Sequence, residues 1–232
     1  MKTVVLVKVV DGEINPFDAA ALEWALSQGG EVTALSMGPR SWESVLLPLT
    51  RLGVGRVILL SDPLFAGSDT LATAFVLSRA LARIDYDLIL AGRKTLDGET
   101  AQVGPCLAAT LGIPVLTNVF SFETRGNGVE CRTALGAERA PLPALLTVER
   151  TKLLRFPSLF STVGRVEILD NSAVGADPSA GIHTRLGHPS FSRRQYGTRS
   201  LKPAPSQEKT IGPRCQATSP RFSLTRLSHV TR

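Results

Sequence analysis

Cysteine is scarce in this chain: Cys106, Cys131 and Cys215 are odd in number and far apart, with no Cys-x-x-Cys pair among them. That excludes a zinc knuckle and a disulfide scaffold, and a reducing cytoplasm is the expected compartment. Long apolar runs are missing as well, because charged or turn residues interrupt every candidate, so no segment is expected to span a bilayer. The N-terminus, "MKTVVLVKVVDGE", begins with a positive residue and an apolar run. Lys8 breaks that run and no small-residue cleavage site follows, so the segment reads as a first strand, not as a targeting signal. Neither Gly-x-Gly-x-x-Gly nor Gly-Lys-Ser/Thr occurs at this strand, which removes a standard Rossmann site and a P-loop. No internal repeat is present.

What is there is a core-forming body and a basic end. A chain of 232 residues with 43% apolar residues can bury one sizeable core with a small appendage. The formal charge of +6 is unevenly spread. Residues 175–232 hold 10 Lys+Arg and 2 Asp+Glu, a local +8, and the remainder holds 16 basic and 18 acidic residues, a local −2. The expected division is a core-forming domain over 1–174 and a basic tail over 175–232. The tail has few large apolar residues and is expected to be extended or disordered unless a partner orders it.

Along the first 110 residues or so, strand and helix patterns alternate. "TVVLVKVV", Thr3 to Val10, is rich in β-branched residues and short, as a strand buried on both faces should be. "NPFDAAALEWALSQGG" predicts a helix with Asn15 as N-cap, Pro16 in its first position, a core face of Ala21, Leu22, Ala25 and Leu26, and an end at Gly29–Gly30. "EVTALSMG" is the second strand, and "SWESVLLPLTRLGVG" a helix interrupted or ended near Pro48. "RVILLSD" is the third strand, "SDTLATAFVLSRALARI" a helix capped by Ser68 or Asp69, and "YDLILAG" the fourth strand. A further helix is expected from near Thr100, with Pro105 tolerated in its first turn. This alternation predicts a doubly wound, mostly parallel sheet of the α/β class. After Pro114, an Asn127–Gly128 turn between two strand-like runs predicts a β-hairpin added to the sheet.

The stretch "LILAGRKTLDGETAQVGPCLAATLG", Leu88 to Gly112, concentrates polar residues after a buried strand. In open α/β sheets ligands sit beyond the carboxyl ends of the strands, and free N–H groups at a helix start attract phosphate. Gly92 and Gly98 let the backbone approach closely. The Thr100 hydroxyl and Gln102 amide can donate hydrogen bonds, and Arg93 and Lys94 add positive charge. Read locally, a capped helix after an ordinary loop accounts for these residues as well as a phosphate site does. Asp97 and Glu99 lie too close together on this loop to be read as a catalytic pair.

Several blocks in order carry a resemblance to a known family: "VVLVKVV", "INPFDAAALEWAL", "EVTALSMGP", "GSDTLATAFVL", "YDLILAGRKTLDGETAQVGPCLAATLG" and "LPALLTVER…RFPSLFSTV". Over about residues 1–190 the chain resembles the β subunit of electron transfer flavoproteins, the FixA-type group. The "DGETAQVGP" block is the most distinctive of these. The resemblance implies a heterodimer with an FAD-bearing α subunit and a nucleotide of the chain's own, either AMP or FAD. Its contacts would fall at Leu6, at Asn15, Pro16, Phe17 and Asp18, at Met37, and along the loop Gly92, Arg93, Lys94, Thr95, Leu96, Asp97, Gly98, Glu99, Thr100, Ala101, Gln102 and Val103. The small residues Gly98 and Ala101 leave room for a pyrophosphate and favour FAD. The resemblance also implies that Leu159, between Pro157 and Phe160, anchors a surface loop on partner dehydrogenases. The implied function is passing electrons between a dehydrogenase and a downstream acceptor. Flavin would carry the redox chemistry, and no side chain is required as nucleophile or general base.

Departures from the family pattern keep a second function in view, a nucleotide-binding regulatory or scaffold protein that has lost electron transfer. The connection before "NPFD" is only "DGEI", shorter than in most relatives. "GRVEIL" stands where the family is lysine-rich, which leaves methyl-lysine regulation unsupported. His183 and His188 match no motif, and residues from about Leu201 onward match nothing in the family. A tail of +8 is expected to clasp the α subunit or stay disordered; with so few aromatics, nucleic-acid binding is the weaker reading.

Overall fold

A computed structural model describes residues 1–176 of the chain. The tail expected over 175–232, with His183 and His188, lies from residue 177 onward outside the described residues.

The chain opens with β1, Lys2–Leu6, which fills with Val4, Val5 and Leu6 because both its faces are covered. The expected strand over Thr3 to Val10 breaks at Val7. Val9–Val10 (β2) and Glu13–Ile14 (β3) instead form a small antiparallel hairpin across Asp11 and Gly12, both at positive φ. That is the backbone a two-residue type I′ turn requires, and Asp-Gly supplies it. The short "DGEI" connection is therefore a tight turn. Helix α1, Pro16–Gln28, follows, with Pro16 in its first turn and Gly29 at its end.

Then come β4, Glu31–Met37; a one-turn α2, Glu43–Leu46, flanked by 3-10 turns and tightened again at Pro48; and β5, Arg56–Leu60. Helix α3, Thr70–Leu81, is capped by Asp69, whose carboxylate accepts from the Ala72 amide at 2.8 Å. β6, Leu88–Gly92, leads through an exposed loop to α4, Val103–Leu111, and to β7, Val115–Val119. An excursion of β8, Ser121–Arg125, β9, Gly128–Thr133, and β10, Gly136–Pro141, precedes β11, Ala144–Val148. β12, Val166–Leu169, and a short α5, Asn171–Val174, close the described part.

Seven strands form one sheet in the order β12-β5-β4-β1-β6-β11-β7, and every pairing in it is parallel. One face packs Val5, Leu59 and Leu90 against Ala21, Leu22 and Ala25 of α1, while the other packs Leu35, Ile58 and Ile89 against α3 and α4. The fold is the doubly wound α/β sheet that the alternating pattern predicts.

The hairpin after Pro114 is present but does not extend that sheet: β8, β9 and β10 make a separate antiparallel sheet. Its tight turn is also shifted by one residue from the expected Asn127–Gly128. Arg125 pairs with Gly128, so the loop is Gly126–Asn127, with Gly126 at φ +57°. Glycine in the first central position is the type II′ requirement. Among the described residues no helix is long and apolar enough to cross a membrane.

Candidate functional site

The order β5-β4-β1-β6 makes β1 the switch point of the sheet. From β1 the chain moves through α1 to β4 on one side, and from β5 it returns through α3, on the other face, to β6 on the opposite side. Connections that leave in opposite directions open a crevice at the carboxyl ends of the two central strands. Leu6, Lys8 and Gly92 stand at that crevice, with the loop Arg93–Gln102 above it.

Backbone hydrogen bonds show how the strands part. The Val7 amide donates away from the gap to the Leu35 carbonyl of β4, and the Arg93 amide donates away from it to the Val148 carbonyl of β11, both at 2.9 Å. The amides of Lys8 and Gly92 face inward, and both are met by Asp18. One carboxylate oxygen accepts from Lys8 N at 2.8 Å and the other from Gly92 N at 2.9 Å. Asp18 is 5% exposed. Burial pushes its carboxyl up to about 7, against the hydrogen bonds and the Lys8 charge that favour the ionised form. Gly92 is glycine of necessity, because a Cβ there would strike Asp18 Oδ1 and come within 2.7 Å of Phe17 Cβ.

Asn15 stands at the N-cap position of α1, but its side chain caps nothing. Its Nδ2 donates 2.9 Å across the crevice to the Lys94 carbonyl, and its buried Oδ1 has no partner. The cap expected of Asn15 is thus corrected: its amide is spent on holding the loop. Lys8 and Asp97 form an ion pair at 2.5 Å, and the Asp97 carboxylate also accepts from the Gly98 amide at 2.8 Å. The Lys8 ammonium, followed by the Thr95 hydroxyl, holds the Asp97 carboxyl well below the usual carboxylate range. Lys94 pairs with Glu99 at 2.7 Å, lowering the Glu99 carboxyl, and Arg93 pairs with Glu149 at 2.9 Å.

The loop itself is conformationally special. Glu99 and Ala101 have φ of +50° and +56°, values that non-glycine residues adopt rarely and that gather at ligand clamps. The helix expected from Thr100 begins at Val103, because these two residues break its first turn; Pro105 then falls within that turn. Thr100, Ala101 and Gln102 are exposed just before the helix start. Leu6 is buried in the α3/α4 face of the core and Met37, half-buried, packs against the same cluster. Both stand at the carboxyl ends of their strands, β1 and β4. Lys8 and Glu149 are partners that sequence reasoning missed. The only sign of Lys8 was a charge inside an apolar run.

Leu159 lies well away in sequence, 91% exposed in a stretch that also exposes Leu153, Phe156, Phe160 and Val163. The base of this stretch is tied to α1. Arg155 donates to Glu23 from its backbone amide at 3.1 Å and from its guanidinium at 2.7 Å, and the Lys152 ammonium sits 3.7 Å from the centre of a Trp24 ring. On its far side, Arg51 Nη2 donates to the Ser158 carbonyl at 3.2 Å and the Gly164 amide donates to Thr50 Oγ1 at 3.0 Å. Among the described residues no group of His, Cys, Asp or Glu could hold a metal ion.

Comparison with known proteins agrees with this architecture. The family described as electron transfer flavoprotein domain matches residues 3–155. Protein FixA of Sinorhizobium fredii is 38% identical over 218 residues, 85% of this chain and 75% of that protein. The electron transfer flavoprotein subunit beta of Thermoanaerobacterium thermosaccharolyticum is 41% identical over 155 residues, covering 63% of this chain and 60% of its own length. Protein FixA of Azorhizobium caulinodans is 42% identical over 159 residues, 61% of this chain and 57% of that protein. The chain thus spans three quarters of the first relative and less than two thirds of the other two. With its sheet, its switch-point crevice and these relatives, the chain belongs to the electron transfer flavoprotein family, as a β subunit of the FixA type.

Proposed function

We propose that the chain is the β subunit of a cytoplasmic electron transfer flavoprotein, pairing with an FAD-bearing α subunit and passing electrons between a dehydrogenase and a downstream acceptor. Its own nucleotide lies in the crevice between β1 and β6. Leu6 and Met37 line the strand ends, Asn15, Pro16, Phe17 and Asp18 form a wall, and the loop from Gly92 to Val103 covers the phosphates. Residues 1–174 are the nucleotide-binding domain.

The observation that carries this reading is the loop's construction at the switch point. Glu99 and Ala101 at positive φ flank Thr100, an alternation of the kind from which anion-binding backbone nests are built. The loop's cations are already paired, Lys8 with Asp97, Lys94 with Glu99 and Arg93 with Glu149. Affinity for a phosphate therefore comes from backbone amides, the Thr100 hydroxyl, the Gln102 amide and the start of α4, not from unpaired positive charge. Gly98 and Ala101 add no bulk over a pyrophosphate, which favours FAD over AMP. FAD bound here would supply the redox chemistry; the chain's residues position it and exclude water.

The deciding experiment is to purify the chain with its co-expressed α subunit, denature the complex and identify the released nucleotides by chromatography and mass spectrometry. Two FAD per heterodimer is the expected result and indicates a bifurcating type. One FAD with one AMP indicates a simple carrier and overturns the preference for FAD. No flavin and no stable α partner would instead support a nucleotide-binding regulatory protein. The Leu159 stretch is the proposed docking site for the dehydrogenase, an apolar anchor suited to a partner pocket.

A further inference from the structure

Two parallel strands that part at a switch point each leave an amide pointing into the gap. Here those amides belong to Lys8 and Gly92, and one carboxylate satisfies both. A buried N–H without a partner is costly, so Asp18 fixes how far the two strand ends separate. The fit is close. Asp18 is buried, Gly92 has no space for a Cβ beside it, and Asn15, one turn earlier, ties the same helix start to the Lys94 carbonyl. The residue that Asp18 holds, Gly92, is the first residue of the ligand loop.

We infer that Asp18 is a positioning residue of the nucleotide site: its ionised carboxylate clips the parted ends of β1 and β6 through the Lys8 and Gly92 amides and so sets where the Gly92–Gln102 loop starts. The inference rests on the nucleotide reading above. Both carboxylate oxygens are engaged by backbone amides, and only the charged form offers two full acceptors.

The charged groups nearby are Lys8 at the exit of β1, its ammonium held by Asp97, and, in the loop, Arg93 and Lys94, held by Glu149 and Glu99. Burial puts the Asp18 carboxyl at about 7, so the clip is complete above that pH and loses its charge as the pH falls through it. Nucleotide affinity then follows the same direction, full at high pH and declining toward low pH. A difference of about one pKa unit between free and loaded protein corresponds to a roughly tenfold change in affinity.

The test titrates the full chain with FAD by calorimetry from about pH 8.5 to about pH 5.5. FAD is the preferred probe because its pyrophosphate keeps its charge over that range, whereas a phosphate monoester such as AMP titrates near ~6. Wild-type affinity is expected to drop roughly tenfold toward the acid end. Asp18→Asn is expected to bind weakly at every pH with a flat profile, and its Lys8 and Gly92 amides to exchange with solvent faster. An Asp18→Asn protein that binds FAD as tightly as wild type, or that keeps the wild-type pH slope, overturns the clip. If that variant does not fold, the wild-type profile decides alone: a flat curve overturns the inference and an acid-side loss supports it. If only AMP binds, the same comparison is made with AMP, whose own titration is common to both proteins and cancels. Wild-type chain that binds neither FAD nor AMP overturns the nucleotide reading itself and the clip with it, an outcome distinct from any failure seen only in the variant.

Discussion

The loop over Gly92–Gln102 and the stretch over Thr151–Gly164 both follow the carboxyl end of a buried parallel strand, β6 and β11, and both are tied to α1. The first is held by the helix start, through Asn15 and Asp18, and the second by its later turns, through Glu23 and Trp24. What they expose is opposite. From Asp97 to Gln102 the loop offers carboxylates, a hydroxyl, an amide and backbone, whereas the second stretch puts Leu153, Phe156, Leu159 and Phe160 into water. Contiguous exposed apolar side chains of this kind mark interaction surfaces. One helix thus braces two surfaces of different chemistry, one polar and one apolar. The anchoring, more than the exposed residues, is what the two have in common.

The contrast breaks most severely at Gly92. Replacing Gly92 with Ala drives a Cβ into Asp18 and Phe17, and neither can retreat because Asp18 is buried and the contact also reaches its backbone N. Overpacking of this kind costs about 1–3 kcal/mol, and the upper part of that range is expected here because backbone, not a flexible side-chain end, is in the way. Urea unfolding measures it. A loss below about 0.5 kcal/mol, the ordinary range for a surface change, would mean that the crevice is looser than the clip requires.

Much of this fold was legible in the sequence, and the exceptions have physical causes. Strand–helix alternation announces a doubly wound sheet, since strands buried on both faces read as short, β-branched, near-continuous apolar runs, set apart by length and flanking turn residues from the longer helical segments between them. The end of β1 was not legible: "VVLVKVV" is uniformly apolar except for Lys8, and nothing in that run says that Val7 turns to β4 while Lys8 faces β6. Asp11–Gly12 is a strong hairpin signal that a single long strand obscured. The helix start at Val103 was misplaced because Thr100 is an acceptable helix residue by composition, and only the positive φ at Ala101 excludes it. The candidate loop was readable as a place, from polar residues after a buried strand. Its bracing was not, because Asp18, Lys8 and Glu149 stand 56 to 89 residues along the chain from the loop residues they hold, Gly92, Asp97 and Arg93, and their convergence is a property of the topology.

A smaller effect is expected where α1 braces the second stretch. Glu23 is largely covered while Arg155 is half-exposed, and the pair combines a backbone contact with guanidinium contacts at 2.7 and 2.9 Å. Removing the carboxylate with Glu23→Ala should cost about 1 kcal/mol, the upper end for a pair with one face in solvent. It should also make the chain between Leu153 and Val163 a faster target for limited proteolysis, while the Gly92 loop is cleaved as in wild type. Equal acceleration at both places would show that α1 braces the two surfaces as one unit, and the division between its two ends would be withdrawn.

The smallest effect on stability is expected at Leu159. A side chain 91% exposed contributes little to folding, so Leu159→Ala should shift the unfolding free energy by less than about 0.5 kcal/mol. Its effect should appear on docking instead. An apolar anchor truncated at the centre of an interface typically costs 2 kcal/mol or more, which is a rise of roughly thirtyfold in the dehydrogenase concentration needed for half-maximal electron transfer, with kcat little changed. Leu135 provides the internal comparison: it is 94% exposed, yet it lies at the β9–β10 turn, away from the stretch braced by α1. Leu135→Ala should leave both stability and docking unchanged. If the two variants lose docking equally, exposure of an apolar side chain suffices and the bracing by Glu23 and Trp24 has no part in recognition. If Leu159→Ala alone loses it, position on the braced stretch is what turns an exposed leucine into an anchor.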